Sequence, residues 1–150
     1  MLRLNSNPHE WSIGFIIGQT YRKMLNVLTS RLKEHDMTPE QFSVLCRLHE
    51  SDGISQKEIA DRTVKDQPTT ARILDCLIRK ELVRKQTSAT DRRSFLVYLT
   101  EHGRHKLQVL MPIERQTIED IFSWMSESEL EAFRQTHLRL ITHLDTLLKP

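Results

Sequence analysis

The fold is constrained most by two short capped helices that follow one another with about three residues between them. Ser55 opens a capping-box pattern for a first helix that ends near Thr63. Asp66 has the position of an N-cap for a second helix, with Pro68 in its first turn and apolar residues at helical spacing up to Lys80. This arrangement is typical of a helix-turn-helix motif.

A β-hairpin is predicted directly after the second helix. Strand-like stretches cover 82–86 and 94–99, and the loop 87–93 between them ends in two arginines. The alternation of the second strand places three apolar residues on one of its faces, namely Phe95, Val97 and Leu99. A hairpin in this position would be the wing of a winged helix-turn-helix.

Long helices are predicted on both sides of this core. The first runs from Glu10 to about Asp36, because its apolar residues are spaced three and four apart. Thr38 caps the next helix, Thr100 caps the helix after the hairpin, and Ser126 caps the last one. The small content of 4 glycines and 5 prolines fits a helix-rich chain. The expected fold class is mainly α, a winged helix-turn-helix core with a two-stranded wing and long terminal helices.

A chain of 150 residues is expected to form a single domain. Its winged lobe would occupy 38–103, and 1–36 and 104–150 would be dimerisation helices, because a small central lobe leaves them little else to pack against. The last helix supports this, since its apolar positions step by three and four in a heptad-like seam. The candidates for the dimer interface are Trp11, Phe15, Phe133, His137, Leu140, Leu144 and Leu147.

The charges are distributed unevenly along the chain. A net charge of +2 is too small to indicate nucleic acid by itself. Between Arg79 and Arg93, however, six bases face two acids, 6 − 2 = +4, whereas between Glu114 and Glu131 one base faces six acids, 1 − 6 = −5. One part of the molecule would therefore attract polyanions and the other would repel them.

Candidate DNA contacts lie on the outward face of the second helix of the motif. A recognition helix inserts its N-terminal turns into the major groove, where short polar side chains and arginine reach base edges. The candidates for this role are Gln67, Pro68, Thr69 and Arg72.

The hairpin loop supplies a second set of candidates, Asp91, Arg92 and Arg93. An ion pair between Asp91 and Arg93 would stiffen the loop and leave the other guanidinium free to enter the minor groove. The alternative is an ordinary exposed hairpin with a weak surface ion pair. Three further candidates, for contact with the DNA backbone, are Thr38, Ser55 and Lys65.

Three stretches between Ile54 and Gly103 carry a recognisable pattern: SQKEIADRT, DQPTTARILDCLIRKELVRK and DRRSFLVYLTEHG. The last of these contains Asp-x-Arg, then Leu-Thr after five residues, then x-x-Gly; the matching residues are Asp91, Arg93, Leu99, Thr100 and Gly103. In these features the chain resembles the MarR family of bacterial transcription regulators.

The resemblance implies a homodimer that binds a pseudo-palindromic operator in double-stranded DNA and is released, as a repressor, by a small-molecule or oxidant signal. It also implies terminal helices as the dimer interface. The chain departs from the family pattern at Glu81, where glycine is common, at Thr70, where an apolar residue is usual, and at Lys85, where arginine is usual.

Two other interpretations stay open. The winged helix could use the same surface to dock a protein rather than DNA. Alternatively, Cys46 or Cys76 could act as an oxidation switch in a DNA-binding repressor, although two cysteines at helical apolar positions are also expected to be structural.

Several classes of function are not indicated. His102 and His105 lie three apart, but no compact set of histidines and cysteines predicts a metal site, and no cofactor is expected. The sequence has no phosphate-binding loop, HExxH or nucleophile-elbow motif, so we do not expect an enzyme. It has no apolar run long enough to span a bilayer and no signal-peptide pattern, which predicts a cytoplasmic protein without membrane contact. No motif marks an effector pocket.

Overall fold

The computed structural model describes residues 12–149, and they divide into two compact units that meet at Glu114 and Arg115. In the described residues the helices are α1 (Ile13–Leu32), α2 (Pro39–Glu50), α3 (Gln56–Thr63), α4 (Gln67–Arg79), α5 (Glu101–Phe122) and α6 (Glu127–Leu148), with a 3-10 turn at Lys33–His35. The strands are β1 (Ile54–Ser55), β2 (Val83–Thr87) and β3 (Phe95–Leu99). The predicted winged helix-turn-helix is confirmed. The predicted functional division at residues 36, 38, 103 and 104 stays a prediction.

The helix starts follow from local capping, as the sequence indicates. The Thr38 hydroxyl accepts from the Gln41 amide at 3.1 Å and the Gln41 side chain accepts in return from the Thr38 amide at 3.3 Å. Ser126 opens α6 with the same reciprocal pair. Ser55 accepts from the Glu58 amide at 3.1 Å, but the Glu58 carboxylate bonds to a neighbouring arginine rather than back to the cap. Each N-cap stabilises its helix by about 1 kcal/mol.

The hydrophobic core of the first unit lies where α2, α3, α4, the start of α5 and the end of α1 surround the sheet. Its side chains are almost free of solvent contact, which makes this lobe a rigid support for whatever projects from it. The largest fully buried side chains are Leu32, Leu45, Leu48, Ile59, Leu74, Leu77, Leu82, Leu107 and Leu110.

The sheet has three strands rather than the predicted two. The missed strand, β1, has only two residues and pairs antiparallel with β3, Ile54 opposite Val97 and Ser55 opposite Leu96. Two residues cannot show an alternating pattern, so no periodic signal could have indicated it. β2 pairs on the other side of β3.

Phe95 differs in burial from the two residues that share its strand face. Val97 and Leu99 are buried at 1% and 3% exposure, but Phe95, on the same face, is 51% exposed. The hairpin extends beyond the core, so alternation continues where there is nothing left to pack against.

A Schellman motif ends α4 at the position where the chain departs from the family pattern. The Leu82 amide donates to the Leu77 carbonyl at 3.0 Å and the Glu81 amide donates to the Ile78 carbonyl at 2.9 Å. This motif requires a left-handed residue, and Glu81 takes that role with φ of 57°. A residue with a Cβ pays about 1 kcal/mol or more for this conformation.

Replacing Glu81 by glycine is therefore expected to raise the free energy of unfolding by about 1 kcal/mol, because glycine adopts positive φ without strain. Urea denaturation of the two proteins would measure the difference. Glu81→Ala is the control, since it removes the same carboxylate but keeps the Cβ. An equal gain in the alanine variant would show that the charge, and not the backbone, is responsible.

The second unit contains the end of α5 and all of α6. No residue of α6 is buried in the described structure. The Phe133 ring packs at a tilt against the His137 ring, with 4.2 Å between centroids, and against the Phe122 ring, with 6.2 Å between centroids. The apolar side chains that α6 leaves exposed are Phe133, Leu138, Leu140, Ile141, Leu144, Leu147 and Leu148.

Candidate nucleic-acid interface

Helix α4 begins with Asp66 as its N-cap, and its first turn is largely exposed to solvent. The Asp66 carboxylate accepts from the Thr69 amide at 2.7 Å, and this hydrogen bond lowers the pKa of Asp66 below its usual value. Gln67, Pro68 and Arg72 are exposed, and Thr69 is half-buried beside them. The four predicted major-groove residues thus lie together on the first two turns of α4, as a recognition helix requires.

The inner face of the same helix explains how threonine can replace an apolar residue. Thr70 is fully buried, and its hydroxyl donates to the Asp66 carbonyl at 2.8 Å. A buried hydroxyl with a partner avoids the cost of an unsatisfied polar group. Leu74 and Leu77 complete this face inside the core.

A polar network that sequence reasoning missed ties the far end of α4 to the start of α2. The Lys80 ammonium bonds to the Asp36 carboxylate at 3.2 Å and to the Gln41 side-chain oxygen at 3.2 Å, and it also contacts the Asp36 carbonyl. The Gln41 amide nitrogen donates to the Cys76 sulfur at 3.1 Å. These contacts join residues about forty positions apart in the chain, which no local pattern can indicate.

A shallow groove of about 340 Å³ lies between the start of α2 and the exposed face of α4. Thr38, a predicted contact to the DNA backbone, lines this groove together with Thr69 and Arg72, which are predicted base contacts. Its lining residues are Thr38, Glu40, Gln41, Thr69, Arg72, Ile73 and Cys76.

The loop of the wing is organised by Asp91, although not through the predicted ion pair. Its carboxylate accepts from the backbone amide of Arg93 at 2.9 Å, and its carbonyl accepts from the Ser94 amide at 3.2 Å. Among residues 12–149, neither Arg92 nor Arg93 has its guanidinium in a salt bridge or a hydrogen bond. The turn fixes the backbone of the loop and leaves the guanidinium groups of both Arg92 and Arg93 in solvent, whereas the predicted ion pair would have left only one of them there.

The Leu-Thr-x-x-Gly part of the signature joins the wing to the rest of the lobe. The Thr100 hydroxyl donates to the Glu81 carbonyl at 2.6 Å and accepts from the Gly103 amide at 2.9 Å. The Thr100 amide donates to the Leu82 carbonyl at 3.1 Å. A Cβ on Gly103 would lie 2.0 Å from that same carbonyl oxygen, so only glycine allows α5 to begin here.

A second connection, also missed by sequence reasoning, fixes the end of β3. The Asp52 carboxylate accepts from the Leu99 amide at 2.8 Å and from the Arg104 guanidinium at 2.6 Å. Arg104 donates in addition to the Leu99 carbonyl at 3.1 Å. The root of the wing is thereby tied to the turn before β1 and to α5.

Two of the three predicted contacts with the DNA backbone lie at helix starts. Thr38 is exposed at the start of α2, and Ser55 is half-buried at the start of α3, each with its hydroxyl oxygen accepting from its own helix. Lys65 is half-buried between α3 and α4. Both hydroxyls keep a proton that could be donated to a phosphate.

Residues 12–149 show no metal-binding cluster and no membrane-spanning helix. No group of three or more histidine, cysteine or acidic residues there could hold a metal ion. None of the described helices is long and apolar enough to cross a membrane. Burial raises the pKa of Cys46 to about 11, despite the opposing effect of Arg47.

A helix-turn-helix with an exposed recognition helix and a basic wing defines a winged helix-turn-helix DNA-binding protein. The MarR family model matches residues 37–95. The HTH-type transcriptional repressor NicR of Pseudomonas putida is 30% identical over 118 residues, 77% of this chain and 75% of that protein. The chain therefore belongs to the MarR family, whose matched members are transcriptional regulators and not enzymes.

Solved structures agree with this assignment. Bordetella bronchiseptica BpsR, studied for the regulation of its DNA binding by 6-hydroxynicotinic acid, superposes with a TM-score of 0.79 at 25% identity, over 87% of this chain and 98% of that one. The S. aureus MepR–DNA complex has the same fold, with a TM-score of 0.82 at 24% identity over 89% and 99% of the two chains.

Proposed function

We propose that this regulator is a homodimeric repressor that binds a pseudo-palindromic operator and is released from it by a small molecule. The observation that carries the proposal is the pairing, in one rigid lobe, of an exposed α4 start with a wing whose arginines are not engaged elsewhere. Its site of action would be the cytoplasm, where operator DNA is found.

On this proposal the exposed start of α4 enters the major groove. Arg72 would pair with a guanine, and Gln67, Pro68 and Thr69 would contact neighbouring bases or phosphates. Thr69 accepts a long hydrogen bond of 3.4 Å from Arg72, which aims the guanidinium along the exposed face without binding it tightly.

The wing would enter the adjacent minor groove. The bond from the Arg93 amide to Asp91 holds the loop while Arg92 and Arg93 stay available. Narrow A·T-rich minor grooves concentrate negative potential and attract arginine. Thr38, Ser55 and Lys65 would add contacts with the backbone that fix the register but do not read sequence.

Dimerisation is supported by the exposed apolar side of α6. Seven apolar residues are exposed on this one helix, and large exposed apolar surfaces mark sites of protein–protein contact. Of the predicted interface residues, Phe15 is 50% exposed on α1, and Phe133, Leu140, Leu144 and Leu147 are 39–66% exposed on α6. His137 lies among them, half-buried, and Trp11 lies outside the described residues. Two-fold symmetry would match a palindromic operator.

The groove beside α4 is our candidate for the effector site. A small organic acid there would lie against Arg72 and Thr69 and would compete with DNA for both side chains. Regulation of BpsR by 6-hydroxynicotinic acid is an example of such a ligand in a similar protein. Titrating candidate acids into the protein–operator complex would identify those that lower the affinity.

The structure favours small-molecule control over an oxidation switch at Cys46. With a pKa of about 11, only about one Cys46 in ten thousand is a thiolate at pH 7, and the thiolate is the reactive form. Cys76 lines the groove and stays the cysteine to test, by replacing it with serine and measuring release by peroxide.

Replacing Arg72 by alanine is expected to weaken operator binding by about 1–3 kcal/mol and to relax the preference at one base pair, because a bidentate contact with guanine would be lost. The operator would first be obtained by selecting random DNA with the purified protein. Binding would then be measured by fluorescence anisotropy on the selected site and on single-base variants. Losses of equal size on every sequence would contradict the base contact.

Arg79→Ala is the matched control. Arg79 is an exposed arginine on the same side of α4, two turns further from its start, so its loss should not affect base preference. The salt dependence tests the alternative of protein docking. DNA binding through phosphates must weaken steeply as salt rises, and an absence of binding to any DNA at low salt would favour a protein partner.

A further inference from the structure

Phe95 is a large apolar side chain at the outer end of the hairpin that the core does not use. It pairs with Thr87 in the last rung of the β2–β3 ladder before the loop. The residue is 51% exposed, although it shares a face with the buried Val97 and Leu99. Residues 84–94, which precede Phe95 in the hairpin, are polar or charged apart from Ala89. This phenyl group is therefore an exposed apolar side chain next to a polar loop.

The surroundings of Phe95 are strongly positive. The Lys85 ammonium lies over its ring at 6.0 Å from the centroid, and on the other face of the hairpin Arg84 lies over Tyr98 at 4.6 Å. Residues 83–99 contain four bases and one acid, 4 − 1 = +3. None of these four cations is in a salt bridge within the described part of the chain. The hairpin therefore presents an apolar side chain surrounded by cations that no acidic residue in 12–149 neutralises. Such a surface is complementary to a polyanion that also has apolar faces.

DNA has this combination in its minor groove. Deoxyribose C–H groups form the walls of the groove, with phosphates along the rims. Arg93 is only two residues before Phe95, about 7 Å along an extended chain, so a wing that places Arg93 in the groove brings the phenyl ring to the wall. A basic patch on a protein partner would be repelled by the same cations, and a neutral apolar partner would not need them.

We propose that Phe95 is a DNA-binding residue that packs its ring against deoxyribose in the minor groove, with Lys85 directed to the adjacent phosphate. This rests on the proposed function, since it requires the wing to enter the groove. It assigns a role to a large apolar side chain that the hydrophobic core leaves exposed.

The test compares Phe95→Ala with wild type on the selected operator over a range of salt concentrations. We expect affinity to fall about tenfold, because the half of the ring now in solvent would lose its contact with the sugars. The slope of log affinity against log salt should not change, since a phenyl ring releases no counterions. Arg93→Ala, in contrast, should lower both the affinity and the slope, the slope by about one.

Hydroxyl-radical footprinting gives a direct readout, because the radical attacks deoxyribose in the minor groove. Wild type should protect the sugars beneath the wing, Phe95→Ala should expose one or two of them, and Phe95→Leu should retain most of the protection. Thermal denaturation of each variant would verify that it is folded, which is expected because the substituted ring is half in solvent.

Two results would overturn the proposal. The first is unchanged affinity and footprint in Phe95→Ala. The second is a loss that disappears in a Lys85→Met background, because Phe95 would then act only by positioning the lysine. Failure of wild type to bind any DNA would instead overturn the proposed function itself, so the two failures are distinguishable.

Discussion

Gly103→Ala is expected to lower the free energy of unfolding by about 3 kcal/mol, a large part of the stability of a domain of this size. The added Cβ would lie 2.0 Å from the Leu82 carbonyl oxygen and 3.3 Å from a methyl group of Leu99. The Leu82 oxygen is backbone and accepts the Thr100 amide at 3.1 Å, so it cannot move away without breaking that hydrogen bond. Urea denaturation followed by circular dichroism would measure the loss.

Gly18→Ala provides the control for this experiment. Gly18 lies inside α1, and a Cβ there would meet nothing within 4 Å in this chain. Alanine has a higher helix propensity than glycine, so the control should leave the free energy of unfolding unchanged or raise it by up to about 1 kcal/mol. If Gly103→Ala proved as stable as Gly18→Ala, the close approach of α5 to the α4–β2 junction would not be a property of the protein in solution.

The starts of α2, α3, α4 and α6 were predictable because they depend on contacts between residues three or four positions apart. The start of α1 was not, since Ser12, which caps it, was not identified. Ser55, Asp66 and Ser126 each accept from the amide three residues later. Both partners of such a contact lie within one short stretch of sequence, so the pattern alone can predict it. The left-handed position at Glu81 was also foreseeable, since a position where glycine is usual indicates positive φ.

The remaining features depend on contacts between distant segments. β1 pairs with a strand about forty residues later, and the Asp52 bonds to Leu99 and Arg104 cross a similar distance in the chain. Phe95 lies on the strand face that the alternation predicts, but it is exposed because the hairpin extends beyond the hydrophobic core at that point. Asp91 does contact Arg93, as predicted, but through the backbone amide of Arg93 and not through its guanidinium. An aspartate in a turn can accept a hydrogen bond from either group.

The double substitution Leu140→Glu with Leu144→Glu is expected to separate the dimer and to weaken operator binding by about 100- to 10,000-fold, because two linked lobes bind with an avidity that a single lobe lacks. Both leucines are exposed in the single chain, at 39% and 45%, so carboxylates there cost the monomer little. In a dimer interface, two buried carboxylates facing their symmetry mates would be strongly unfavourable. Sedimentation would give the oligomeric state and anisotropy the affinity.

Gln135→Glu with Thr142→Glu is the matched control, since it also adds two negative charges to α6 but away from the heptad seam, at positions that are exposed too. The control should stay dimeric and keep most of its affinity. Binding to a half-operator distinguishes loss of pairing from loss of folding, because a folded single lobe binds a half-site with the same weak affinity before and after the leucine substitutions. If the Leu140 and Leu144 variant remained a dimer with full affinity, the exposed side of α6 would have some other occupant, and the palindromic operator would lose its structural basis.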